Sequence, residues 1–238
     1  QVKITTKWRA NEDNTMIDSL AEVHLYNALK PYFGTEVSKE DFSVQNQNVG
    51  LISSQKVGAT VSKDITRGAI LAIFFSLIAI FAYIAVRFRN WQFGLGGVIS
   101  LIHVSLITIG LYSILYGIMP FTMEVDQSFI AAILTIIGYS INDNVVIFDR
   151  IREYKTLYPK RGNRENMNAA LNSTLGRTIN TSGTTIVVLL AIFLLGGTVI
   201  RGFVFALLIG IILGPYSSIF IGSSLVYDFS KKKEIEQQ

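Results

Sequence analysis

The amino-acid sequence predicts an α-helical polytopic membrane protein, in which five transmembrane helices follow a small N-terminal α/β domain. Half of the 238 residues are hydrophobic and only 16% are charged, too few charges to cover a soluble domain of this length. Five apolar stretches are each long enough to cross the hydrocarbon core, which takes about 20 helical residues. The sequence before the first stretch is mixed and polar, as expected of a domain outside the membrane.

Residues 1–64 show the pattern of a partial ferredoxin-like unit of strand, helix and strand. Hydrophobic and polar residues alternate over residues 2–8, which is typical of a half-buried strand. Apolar residues then recur at helical spacing over residues 17–28, until Pro31 ends the pattern. A second extended stretch is predicted over residues 41–52.

Residues 65–230 form the predicted transmembrane domain. The Gly210 and Gly214 pair has the GxxxG spacing of close helix packing, and Gly214-Pro215 predicts a kink in the last span. The five predicted spans are about 68–87, 93–116, 125–148, 178–200 and 202–227.

The distribution of Lys and Arg predicts the orientation of the spans. Basic residues concentrate in the links after the first and third spans and in the tail, residues 231–238, which contains Lys231-Lys232-Lys233. The positive-inside rule places these segments in the cytoplasm and the N-terminal domain outside, on the opposite side of the membrane. The same rule accounts for the net charge of +4 without a nucleic-acid partner. An exported domain that begins on a strand at Gln1 also leads us to expect at least one helix before residue 1.

Several kinds of chemistry are excluded by composition. The absence of cysteine excludes disulfides, thiol nucleophiles and Cys-ligated metals. Two histidines and no phosphate-binding loop leave no basis for a hydrolytic enzyme, a metal site or a cofactor.

The third span contains the residue with the clearest functional signal, Asp143. An ionised carboxylate inside an apolar helix is costly unless it is paired or hydrated, so intramembrane acids mark functional sites. The sequence predicts a carboxyl that gains and loses a proton. Asp149, Arg150 and Arg152 lie at the end of the same span, and we interpret them as interfacial charges that anchor the helix.

Arg177 is the predicted cationic partner of Asp143. Asp143 is about 19 residues from Glu124 and Arg177 about 23 from Ile200, so at 1.5 Å per residue they lie at similar depths on antiparallel helices. The alternative is that Arg177 extends to the headgroups. Polar residues near the pair could hold water for a proton path or bond across helices, and His103 in the second span is a further titratable group. The polar residues in question are Ser140, Asn142, Thr181 and Ser182.

Several stretches together resemble the SecF side of the SecD/SecF protein-export family, which is related to the resistance-nodulation-division transporters. The resemblance covers about residue 57 to the end. Its motifs are Val57-Gly-Ala-Thr-Val-Ser62, Gly94-Leu95-Gly96, Leu101-Ile102-His103, Gly138-Tyr-Ser-Ile-Asn-Asp143, Val145 through Glu153, Leu171-Asn172, Arg177-Thr178 and Thr181-Ser182.

This resemblance implies an accessory of the bacterial Sec translocase in the inner membrane, which uses the proton-motive force to promote late export of preproteins. The implied partners are a SecD half, fused or separate, the SecYEG translocon, YajC, YidC, the preprotein, protons and lipid. It also implies that Asp143 and Arg177 occupy the positions associated with proton transport. Asn144 and Val104 depart from the usual Thr and Asp, and the missing acid at Val104 places more of the proton route on Asp143 and on SecD carboxylates.

Two rival functions differ in what they require. A small-solute efflux subunit would share the intramembrane acid but needs far larger outer domains than about 60 residues. A purely structural assembly factor would tolerate loss of charge at Asp143 and Arg177 but not enlargement of the glycines that pack the helices.

Overall fold

The structure is a computed structural model that describes residues 16–33, 37–43, 59–121 and 123–236, with the single positions 4, 6 and 8. The chain divides into two compact units, of which the smaller is Ile4–Ala69 and the larger includes Ile70–Gln238.

The smaller unit contains two helices, α1 (Met16–Leu29) and α2 (Lys39–Ser43). The predicted helix over residues 17–28 is confirmed, and a 3-10 turn at Lys30–Tyr32 follows it where Pro31 interrupts the α-helix. The hydroxyl of Tyr26 donates to the carbonyl of Val37 at 2.7 Å. The rings of Tyr26, Phe33 and Phe42 pack together.

The extended stretch predicted from residue 41 is wrong over Asp41–Ser43, which belong to α2. The hydroxyl of Ser38 accepts a hydrogen bond from the backbone N–H of Asp41 at 3.0 Å, an N-terminal cap that favours a helix. Residues 44–52 lie outside the described residues. In the first predicted strand, Ile4 and Thr6 are not in a strand and Trp8 lies in a turn. There the Trp8 N–H donates to the Thr6 hydroxyl at 3.1 Å. The rest of that strand is also outside the described residues, so the α/β character of the domain stays a prediction.

The larger unit confirms the five predicted transmembrane helices. Five helical segments of the described chain are long and apolar enough to cross a membrane. The helices that form them are α3 (Ala59–Phe88), α4 (Trp91–Leu115), α5 (Gln127–Leu157), α6 (Asn163–Leu195) and α7 (Thr198–Tyr216), with the π-helical segment Ser217–Gly222 and α8 (Ser223–Glu236) continuing α7.

Helices α5 and α6 are longer than their predicted spans and meet at a short turn after Leu157. The charged segment that hydropathy assigns to a loop is therefore mostly helical. Within α5, Arg150 pairs with Glu153 at 2.7 Å, and a pair at this spacing stabilises a helix in water. In the turn, Arg161 pairs at 3.4 Å with Glu165, which belongs to the first turn of α6. Hydropathy locates the end of the apolar stretch, whereas the helix continues beyond it.

Helix α5 packs against α4, α6 and α7, so it lies at the centre of the bundle. In its most apolar window 44% of residues are buried, whereas the corresponding figure for α3 is 6%. Two clusters of buried hydrophobic residues lie along it, one around Ile133 and Ile136 and the other around Ile147 and Phe148. The buried polar residues of α5, Ser140, Asp143 and Asn144, lie between these two clusters.

Glycines bring the last span close to its neighbours. A Cβ atom on Gly210 would overlap the side chain of Ile136 on α5, and one on Gly214 would lie 2.9 Å from the Ser140 hydroxyl. A Cβ atom on Gly96 of α4 would lie 2.7 Å from the carbonyl of Gly222. These contacts agree with the predicted role of glycine in close helix packing. Beyond Pro215, which has no N–H to donate, the helix changes to π-helical hydrogen bonding.

Candidate functional site

Asp143 is buried within α5, with 4% of its surface exposed. Among the described residues its Oδ2 atom has no hydrogen-bond partner. Successive residues of an α-helix are rotated by about 100°, so Asp143 points between the directions of Tyr139 and Ser140. Tyr139 contacts α6 and Ser140 contacts α7. The carboxyl group therefore faces the seam between α6 and α7.

Tyr139 joins α5 to α6 next to this seam. Its hydroxyl lies 3.0 Å from the carbonyl of Thr181 and 3.0 Å from the hydroxyl of Thr185. The hydroxyl of Thr181 in turn donates to the carbonyl of Arg177, one turn earlier on α6, at 2.9 Å. Thr181 thus contributes to the contact between the helices through its backbone, and its side chain stabilises its own helix.

Arg177 does not reach Asp143. Both residues are described, and no ion pair within 4.0 Å joins them. Arg177 is exposed, because Thr174 and Thr178 occupy the buried positions on this part of α6. The predicted direct pair is therefore not formed in this structure, and their functional coupling stays a proposal.

Asn144, which is fully buried, organises a second polar cluster on the side of α5 that faces α4. Its Nδ2 donates to the hydroxyl of Ser100 at 2.8 Å and to the carbonyl of Ser140 at 3.3 Å. The Ser100 hydroxyl lies 2.7 Å from the carbonyl of Gly97. The Ser100 carbonyl accepts a hydrogen bond from the Ser217 hydroxyl at 2.8 Å. Asn144 and Ser100 thus connect α5, α4 and the π-helical segment.

His103 joins this cluster through Ser217, whose hydroxyl lies 3.0 Å from Nδ1 of the imidazole. The Ser217 hydroxyl also donates to the Ser100 carbonyl at 2.8 Å. Since Ser100 and His103 both belong to α4, Ser217 holds the π-helical segment to α4 at two points.

The other polar residues predicted for the site fall into two groups. Ser140 and Ser182 are buried, and their hydroxyls have no partner among the described residues. Asn142, in contrast, is exposed on the outer side of α5. The structure does not place Asn142 beside Asp143, although the sequence predicted that it supports the site. Asn142 precedes Asp143 by one residue, so its side chain is rotated by about 100° around the helix axis and points away from the seam.

The charged residues at the end of the third span form exposed ion pairs. Asp149 lies 3.2 Å from Arg152 and 3.7 Å from Arg87, which links α5 to α3. Arg150 pairs with Glu153 and donates from Nε to the hydroxyl of Ser173 on α6 at 2.9 Å. Their positions suit the predicted role as interfacial charges.

Sequence patterns gave no indication of the roles of Ser100, Ser217 and Ser218. Each is buried, and Ser217 and Ser218 form the first turn of the π-helical segment. Two adjacent serines that follow Pro215 and Tyr216 in an apolar span are a signal that could have identified this region, because hydroxyls often bond where proline frees a carbonyl.

Comparison with known proteins places the chain in a family. The family model of the C-terminal region of the protein export membrane proteins SecD and SecF matches residues 37–232. The chain belongs to the SecD/SecF family. The SecF subunit of the Rhodothermus marinus protein translocase is 50% identical over 178 residues, which are 75% of this chain and 58% of that protein. The SecF subunit of Vibrio alginolyticus is 43% identical over 75% of this chain and 54% of its own length.

A solved structure of the SecD/SecF family has the same fold. The crystal structure of SecDF in its super-membrane-facing form matches with a TM-score of 0.67 and 38% identity, covering 76% of this chain and 23% of that chain. The chain spans between half and three fifths of the length of the SecF subunits that it matches.

Proposed function

We propose that this chain is the SecF part of an accessory complex of the Sec translocase and promotes the export of preproteins across the bacterial inner membrane. The family match and two relatives named as SecF translocase subunits support this role. A SecD half is the proposed partner, which is supported by the similarity to SecDF, of which this chain matches 23%. SecYEG, YajC and YidC are further proposed partners.

The proposed driving force is the proton-motive force, and Asp143 is the proposed proton acceptor. The observation that carries this proposal is a carboxyl group inside a membrane span, 4% exposed and with Oδ2 unpartnered among the described residues. A carboxylate in that position has neither the full solvation nor the direct ion pair that would hold it permanently charged, so its protonation state can change.

Arg177 is the proposed electrostatic partner. Protonation of Asp143 removes the attraction between the carboxylate and Arg177 and lets α5 and α6 shift relative to each other. Loss of the proton restores the attraction. Moving one charge across the membrane field corresponds to about 2.3 kcal/mol per 100 mV, enough to bias an equilibrium between two conformations.

The proposed orientation couples this change to export. With the basic link between α5 and α6 and the basic tail in the cytoplasm, the N-terminal domain lies in the periplasm. There it can hold an emerging preprotein and prevent it from sliding back. Helix α3 is the covalent connection from that domain to the membrane part.

The test is the Asp143→Asn variant of the full-length protein, together with its SecD partner, in inverted membrane vesicles. We expect the part of preprotein export that depends on membrane potential to fall to the background, because the amide does not exchange a proton. Asp149→Asn is the matched control: it removes an exposed carboxylate of the same helix and should export normally. Normal potential-dependent export by Asp143→Asn would refute proton coupling and favour a structural role.

A further inference from the structure

Helices α5 and α6 form an antiparallel hairpin, and the hairpin brings its two intramembrane charged residues to one level. Asp143 is as far along the chain from the end of α5 as Arg177 is from the start of α6. Because both helices rise by about 1.5 Å per residue, the two residues lie at similar heights above the turn between the helices. Whether they meet therefore depends on how the two helices face each other.

The side chain of Tyr139 fixes how the helices face each other one turn farther from the hairpin turn. Its hydroxyl donates to the carbonyl of Thr181 at 3.0 Å and lies 3.0 Å from the hydroxyl of Thr185. We call these hydrogen bonds the Tyr139 contact. Tyr139 precedes Asp143 by four residues, and Thr181 follows Arg177 by four residues. The contact is therefore one helical turn away from both charged residues.

A second side-chain contact joins the same helices closer to the hairpin turn, but it is weaker in kind. Arg150 donates to the hydroxyl of Ser173 at 2.9 Å, and 39% of the Arg150 side chain is exposed. Water can replace such an exposed contact. Tyr139 instead packs against buried hydrophobic residues within the apolar part of the span, where a lost hydrogen bond is not replaced. The Tyr139 contact is therefore the more important constraint on the hairpin.

The rotation of α6 about its axis determines which of its residues face α5. Successive residues are rotated by about 100°, so Thr181 and Thr185 lie about 40° and 80° around the axis from Arg177. The buried Thr178 lies about 100° from Arg177 in the same direction. Arg177 is exposed in this rotation. Because a helix rotates as a unit, turning Arg177 inward would move Thr181 and Thr185 past Tyr139.

We propose that the Tyr139 contact and an ion pair between Asp143 and Arg177 exclude each other, so that Tyr139 is a positioning residue that holds the unpaired state. The proposal rests on the function proposed above, in which a charged Asp143 attracts Arg177. It identifies the shift between α5 and α6 with a rotation that breaks the Tyr139 contact. When Asp143 takes up a proton the attraction is lost, and the contact forms again.

The first experiment is a cryo-EM structure of the full-length protein with its SecD partner in lipid nanodiscs, for the wild type and for Asp143→Asn. Asp143→Asn cannot form the ion pair and should show the Tyr139 contact in every particle class. The wild type should contain a second class, in which Arg177 lies within about 4 Å of Asp143 and the Tyr139 hydroxyl has left Thr181. A class that contains both the ion pair and the contact would refute the proposal, and so would a wild type without a paired class.

The second experiment measures preprotein export in inverted membrane vesicles as a function of membrane potential. Proton uptake from the outer side favours the state that Tyr139 holds, so Tyr139→Phe should require a larger potential. Loss of a net hydrogen bond shifts an equilibrium by up to about tenfold. For one charge crossing the membrane, tenfold corresponds to about 60 mV, and the potential for half-maximal export should rise by up to that amount. A purely structural role would lower export at every potential without moving the midpoint.

Two threonine variants sharpen this measurement. Thr185→Val should raise the midpoint by less than Tyr139→Phe does, because the bond from Tyr139 to the Thr181 carbonyl remains. Thr135→Val is the matched control. Its hydroxyl donates to the carbonyl of Ala131 in its own helix at 2.7 Å, so its midpoint should equal that of the wild type.

The outcomes separate this inference from the proposed function. An unchanged midpoint in Tyr139→Phe refutes the positioning role and leaves the proton coupling through Asp143 intact. If Asp143→Asn exports normally at full potential, the proposed coupling fails. The particle classes then still decide whether the Tyr139 contact and the ion pair exclude each other.

Discussion

The middle of α5 and its C-terminal end both contain an aspartate, but the two surroundings differ in every physical respect. Asp143 is 4% exposed and has an unpartnered oxygen. The side chain of Asp149 is 50% exposed and lies within 4 Å of two arginines. Water and neighbouring cations stabilise the charge of Asp149, whereas the charge of Asp143 depends on the arrangement of three helices.

This difference indicates where the helix tolerates substitution. Exposed ion pairs contribute little free energy, since water replaces a lost partner. A buried hydrogen bond or a close backbone contact has no such replacement. We therefore expect substitutions in the middle of α5 and its contacts to be far more damaging than those at its end.

The largest expected effect on stability is at Gly210, which supports the central region from the last span. A Cβ atom there would overlap three side-chain atoms of Ile136, which is fully buried. Gly210→Ala should reduce the free energy of unfolding by about 1–3 kcal/mol, as overpacking does in other cores. Thermal unfolding in detergent measures it.

Gly138→Ala on α5 provides the comparison, because nothing lies within 4 Å of a Cβ atom at Gly138. It should be neutral or stabilise the helix by about 0.5–1 kcal/mol, the usual advantage of alanine over glycine. Equal destabilisation of both variants would mean that helix propensity, and not packing, accounts for the effect.

A smaller loss is expected at Asn144. Asn144→Ala removes the hydrogen bonds to Ser100 and to the Ser140 carbonyl, which should destabilise the protein by about 1–2 kcal/mol. The neighbouring Asn142→Ala removes an exposed amide and should have no measurable effect. If the two variants unfold at the same temperature, the buried cluster does not hold α4 and α5 together.

The smallest effect is expected at Asp149. Asp149→Asn should change the free energy of unfolding by less than about 1 kcal/mol, and the change should shrink as salt is added. Denaturation at low and high ionic strength tests both statements. A large loss of stability that does not depend on salt would contradict this prediction. It would show that Asp149 contributes as much to stability as a buried residue in the middle of α5.

Hydropathy predicted the five spans and the intramembrane position of Asp143, because both depend on the local sequence. Helix length did not follow in the same way, since charged residues beyond the apolar stretch continue α5 through local ion pairs such as that of Arg150 with Glu153. The strands of the N-terminal domain stay predictions. There the short helix at Lys39–Ser43 replaced part of an extended stretch, because a single capping serine outweighed a weak strand pattern.

The amino-acid sequence by itself determined that this chain crosses a membrane several times and has an acid within one of the spans. The free energy of transferring a span to lipid is close to the sum of the contributions of its residues. The tertiary structure decided which polar groups surround that acid. Arg177 and Asp143 have suitable depths, yet the direction in which each helix faces its neighbours leaves Arg177 exposed. Close glycine contacts between distant segments, such as Gly214 with Ser140, fix the direction in which α5 faces the last span. A helix turned by one residue, about 100°, would present a different set of side chains to its neighbours.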